Sequence, residues 1–145
     1  MRYFVLLLCL MATIVATGCR TAPAAPPEPA QAQLGEAFTL AGGQGMTVSG
    51  ENLTLEFDQV LEDSRCPKQV ECFWTGQALL TVLVQREGQA PVPVEFNTNP
   101  APGRNKQQAN VGAYTIRLIS LDPYPETPAT IPLDDYRAVM LVNKN

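Results

Sequence analysis

Histidine is absent from this 145-residue chain. Its absence excludes Ser-His-Asp and Cys-His catalysis, histidine-ligated zinc and imidazole acid–base work near neutral pH. Basic clusters are missing as well. With 10 Lys+Arg against 14 Asp+Glu, the chain is a poor match for nucleic acid or for anionic headgroups. No phosphate-cradling loop is present: Gly42-Gly43-Gln44-Gly45 lacks the lysine and the strand–loop–helix setting, and reads as a turn. Neither a cofactor nor a metal site is expected. Asp134-Asp135 reads as a solvated turn rather than a calcium site. Convincing helical periodicity is also lacking. No stretch of ten or more residues keeps a 3.6-residue apolar period without an interrupting proline, glycine or β-branched run.

What is present begins at the amino terminus. Arg2 is followed by an apolar run, Tyr3 to Val15, and by the small residues Ala16-Thr17-Gly18. A charge, a short apolar core and a small-residue cleavage site make a secretory signal peptide. The run falls short of the about 20 residues that a spanning helix needs. Ala16-Thr17-Gly18-Cys19 resembles the bacterial lipobox, with alanine where leucine is usual. The resemblance implies cleavage after Gly18 and acyl chains, palmitate among them, on Cys19. It thus implies a lipoprotein of the cell envelope, held to the membrane through Cys19. Arg20, where aspartate would retain the protein at the inner membrane, favours the outer membrane in an organism that has one. Acyl chains contribute about 0.8 kcal/mol per buried CH₂, and two or three anchor stably where one does not. Loss of Arg2 leaves a mature net charge of about −5. The expected organisation is a signal over 1–18, a lipidated cysteine and Pro/Ala-rich tether over 19–33, and one domain over 34–145. An extended tether of that length reaches about 40 Å.

Four cysteines occur. Cys9 leaves with the signal and Cys19 is taken by lipid, so Cys66 and Cys72 remain as one pair. In an oxidising envelope such a pair is expected to be a disulfide. Its short loop corresponds to about 2–2.5 kcal/mol of chain entropy. The competing readings are a metal site, poor without histidine, and a redox pair, which more usually reads C-x-x-C.

The domain is β throughout. Strands are expected over Ala37–Leu40, Met46–Val48, Leu53–Leu61, Ala78–Arg86, Val92–Asn97, Tyr114–Leu121 and Tyr136–Val142. Leu53, Leu55 and Phe57 alternate with polar residues as on a half-wet strand. Ala78–Arg86 is apolar on both faces and belongs at a sheet centre. Pro91 and Pro93 put the following strand at an edge. About seven short strands predict an all-β fold, a single antiparallel β-sandwich or small barrel.

The segments Asp63-Ser64-Arg65-Cys66-Pro67 and Cys72-Phe73-Trp74-Thr75-Gly76-Gln77-Ala78 resemble small exported bacterial β-proteins with a D-S-R-C-P … C-x-W-x-G-x-A signature. The resemblance supports a β fold and a disulfide and brings no activity, ligand or catalytic residue. Arg65 can clamp Asp63, Glu71 or a ligand carboxylate with its planar fork. Trp74 is expected to pack on the disulfide, making the Asp63, Arg65, Glu71, Trp74 cluster an architectural corner rather than a binding site. The leading functional expectation is an envelope-anchored, non-enzymatic binding or structural module for an unknown protein or small molecule. One alternative is an inhibitor presenting Pro67 to Glu71 to an enzyme cleft. The other is a carboxylate hydrolase using two of Asp58, Glu62, Asp63 and Glu71.

Overall fold

The computed structural model describes residues 31–101 and 103–145. The signal peptide, Cys19 and most of the tether therefore lie outside the described residues. Nine strands are found among the residues described: β1 Gln31–Ala32, β2 Ala37–Ala41, β3 Gly45–Val48, β4 Leu53–Asp63, β5 Ala78–Arg86, β6 Val92–Asn97, β7 Gln108–Val111, β8 Tyr114–Asp122 and β9 Arg137–Lys144. They form a five-stranded sheet, β1-β3-β4-β5-β6, and a four-stranded sheet, β2-β9-β8-β7. The two sheets pack face to face as a sandwich and do not close into a barrel.

The alternation along each strand makes the core. Leu53, Leu55 and Phe57 of β4 lie beside Leu80, Val82 and Val84 of β5 and Val94 and Phe96 of β6. Leu40, Ile116, Leu118, Ala138, Met140 and Val142 meet them from the second sheet. Each large side chain taken fully out of water contributes about 1.5–3 kcal/mol. As its composition requires, β5 sits between two partners, and the proline-bearing β6 is an edge.

Two strands were not expected, and one pairing runs against expectation. Among the described residues, Gln31–Ala32 already forms a strand ahead of residue 34, with Ala32 small enough to be buried beside β3. The β1–β3 pair is parallel, so the sandwich is not purely antiparallel. At two residues, β1 is held by main-chain pairing and carries no periodicity to read. The other addition, β7, mixes polar Gln108 and Asn110 with a single buried residue, Val111.

The upper half of β4 positions the site. β3 pairs only as far as Glu56, and Phe57 exchanges bonds with Gln44 and Gly43. Beyond that, Gln59–Asp63 is paired on the β5 side alone among the described residues, with register shifts at Phe57/Gln59 and Val60/Glu62. Bulges and carboxylates such as Glu62 keep such an edge from pairing with other chains.

Candidate functional site

Asp63 ends β4 and Ala78, directly opposite, begins β5. The chain between them makes a long corner rather than a hairpin turn. Within it, Cys66 and Cys72 are disulfide-bonded, with Cα atoms 5.9 Å apart. Gly76 has φ +65°, and a Cβ there would collide with the Ser64 carbonyl and the Arg65 backbone. Only glycine permits the two arms of the corner to touch.

Arg65 bolts this corner to the second sheet. Its side chain is 7% exposed, and its fork clamps Asp63: Nε donates to Oδ1 at 2.8 Å and Nη2 to Oδ2 at 2.6 Å. Nη1 donates to the Leu121 carbonyl at 2.7 Å, and Nη2 also reaches the Pro123 carbonyl at 2.9 Å. The Tyr124 ring lies under the guanidinium, 5.1 Å from its centroid. Tyr136 donates from its hydroxyl to Asp63 Oδ2 at 2.8 Å. Farther out, the Lys68 and Gln69 amides donate to the Pro125 and Glu126 carbonyls, and Lys68 pairs with Glu126 at 2.6 Å on the surface. Beneath the corner, Gln77 Oε1 accepts from the side-chain amides of Asn97 and Asn99.

These contacts set the charges. Burial pushes the Asp63 carboxyl up, but the bonds from Arg65 and Tyr136 outweigh it and hold it below the usual carboxylate range. Burial also works against the Arg65 charge, and the Asp63 bonds and charge raise its pKa nonetheless. The Tyr136 phenol is pushed up to about 12 by burial, then by its bond to Asp63 and the charge of that carboxylate. Bonds from Ser64 and Gln77 hold Glu62 low.

Of the four residues singled out in the cluster, the structure brings two together. Asp63 is the partner that Arg65 takes. Glu71 is exposed and makes no ion pair among the described residues. Trp74 overturns the expectation of burial: it is 63% exposed, and its neighbour Phe73 is fully exposed. The groups packed under the corner are instead the Arg65 guanidinium, bonded to the Leu121 carbonyl, and Gly76 against the Ser64 backbone. Both aromatics are exposed to water, as is Val70 of the same loop. Sequence reasoning passed over Phe73, Tyr136 and the Gln77–Asn97–Asn99 network. The adjacent Phe73-Trp74 pair after Cys72 was the available signal for the first.

Two open hollows flank Arg65. One, of about 320 Å³, lies between Leu61, Glu62 and Asp63 on one side and Pro125, Pro128 and Tyr136 on the other. The second, of about 380 Å³, is lined by Gly76, Pro100, Leu121 and Tyr124. Glu62 and Asp63 share the first hollow, as a hydrolase would need, but both are held ionised. Acid–base work requires a pair whose proton affinities are driven apart. No group of three metal-ligating side chains converges among the described residues. The inhibitor reading needs Pro67 to Glu71 to stand free, whereas Lys68 and Gln69 are tied to Pro125 and Glu126.

No family model matches the chain, and no curated protein or solved structure matches it either.

Proposed function

We propose that the protein is an envelope-anchored lipoprotein whose β domain is a non-enzymatic binding module, with the disulfide-braced corner as its contact surface. One observation carries this reading. Phe73 and Trp74 stand in water side by side on a corner whose polar groups are already satisfied from within. Large aromatics on a braced base are what binding hot spots are made of, since they bury much area and lose little freedom. The hydrogen bonds of Arg65 and Asp63 serve to hold that base rather than to face a ligand.

Two measurements test the reading. Metabolic labelling with a fatty-acid analogue should mark the wild-type protein and not Cys19→Ala; unchanged labelling of the variant refutes the anchor. A photo-cross-linking amino acid in place of Phe73, in intact cells, should give adducts at the corner. The same probe at exposed Glu36, on the far side of the sandwich, should give few. Equal adduct yields at both positions refute the corner as the contact surface.

A further inference from the structure

We infer that the Phe73–Trp74 corner seats in the interfacial layer of the same bilayer that holds the lipid on Cys19, an inference that rests on the lipoprotein reading above. The direction in which the chain joins the sandwich supports it. β1 runs parallel to β3, and β3 runs antiparallel to β4. Since β4 climbs toward the corner, β1 descends away from it. Gln31 is therefore the corner-ward end of β1.

Lengths match this direction. Gln31 is level with Thr47, which pairs with Thr54, which pairs with Gln85. From Gln85 up to Ala78, opposite Asp63, β5 is unbroken. Those seven steps rise about 23 Å. The twelve steps from Gln31 back to Cys19 span at most about 40 Å, more than this rise of about 23 Å, so acyl chains on Cys19 have the reach to share a plane with the aromatic corner.

The chemistry of the corner fits that plane. Tryptophan concentrates at the boundary between headgroups and hydrocarbon, where its ring is buried and the indole N–H stays wet, and Phe73 adds apolar area beside it. Val70 widens the apolar tip, the nearby Lys68 and Glu126 charges neutralise each other, and the exposed Glu71 carboxylate stays among the headgroups. A mature charge of about −5 disfavours an anionic surface, so the layer recognised is zwitterionic. A lipid anchor gains from a second, weaker membrane contact. The disulfide and the Arg65 clamp let the corner insert without first being ordered.

The test uses the lipidated full-length mature protein in phosphatidylcholine vesicles, read through Trp74, the only tryptophan. On reconstitution its emission should shift to the blue. Lipids brominated high on the acyl chain should quench it, and iodide quenching should fall several-fold below that of the mature chain made without signal and lipid. Phe73→Asp, lipidated and melting as wild type, should lose the bromolipid quenching. A labelled, vesicle-bound protein whose Trp74 stays as open to iodide as in the unlipidated mature chain overturns this inference alone. Shielding seen only when other envelope proteins are present also overturns it and gives the corner to a protein partner. Absence of the fatty-acid label overturns the lipoprotein reading, and this inference with it.

Discussion

Arg65→Ala is the most informative single change to the fold. The wild-type guanidinium serves one carboxylate and two main-chain carbonyls, and its side chain and that of Asp63 are only 7% and 11% exposed. Truncation leaves Asp63 with only the Tyr136 hydroxyl and the backbone amide of residue 65, and strips the Leu121 and Pro123 carbonyls of the guanidinium donor. Removing one member of a buried, hydrogen-bonded pair costs about 3–5 kcal/mol. That is a large share of the 5–15 kcal/mol typical of a domain, and for one of this size it lowers Tm by roughly 12–25 °C. Arg65→Lys keeps the charge but loses the planar fork, and an ammonium cannot serve all three acceptors at once; its loss should be intermediate. Equilibrium urea unfolding of both variants and the wild type measures this. The pH profile supplies an internal check. Asp63 binds its proton more weakly folded than unfolded, so its contribution is complete above the ordinary carboxylate range. The contribution disappears as pH falls through the lowered folded value, and this acid limb should flatten in Arg65→Ala. A loss below about 1 kcal/mol with an unchanged acid limb would place Arg65 among ordinary surface ion pairs and refute its role as a bolt.

Phe73→Ala and Trp74→Ala should each leave unfolding free energy within about 0.5 kcal/mol of wild type, because neither side chain is in the core; a loss of several kcal/mol in denaturant melts would return Trp74 to the interior. Gly76→Ala should destabilise by more than the ~1–2 kcal/mol of a left-handed non-glycine residue, since the added methyl also meets Ser64 backbone. Mass spectrometry of native protein should find Cys66 and Cys72 linked, and reduction should cost about 2–2.5 kcal/mol while the sheets persist by circular dichroism. Tyr136, at about 12 against an ordinary 10.0, gives stability that is complete below its unfolded value and lost as pH rises through the folded one. Tyr136→Phe should remove that alkaline loss, observable as a flatter Tm profile across the window.

The sandwich was legible because burial in a sheet leaves a period of two. Leu53, Leu55 and Phe57 announced a strand, and unbroken apolarity placed Ala78–Arg86 between two partners. Boundaries of β5 and β6 fall where composition put them, on either side of the turn at Gly88. β1 left no trace in periodicity, because two residues cannot show one and Ala32 is an ordinary member of an alanine-rich run. The Asp63–Arg65 clamp was among the pairings the spacing allowed. Its other half was not: the Leu121 and Pro123 carbonyls are main-chain groups more than fifty positions away, and no side-chain identity marks them.

Trp74 shows where composition misleads. A lone tryptophan two residues after a cysteine carries a strong expectation of burial, since its area is the largest contribution any side chain can offer a core. Burial, however, is settled by competition for space around a particular point. Here the corner has to cross from β4 to β5 while leaning on the second sheet, and Arg65 makes that crossing by donating to main-chain carbonyls that an indole could not satisfy together. With the guanidinium in that place and Gly76 closed against the Ser64 backbone, the base of the corner is held together without the indole, and Trp74 stands exposed. The same contact that makes Arg65 structural therefore makes Trp74 available. Architecture and binding, which appear as rival interpretations of one motif, divide between its members: Asp63, Arg65 and Gly76 build the base, and Phe73 and Trp74 are what the base holds out.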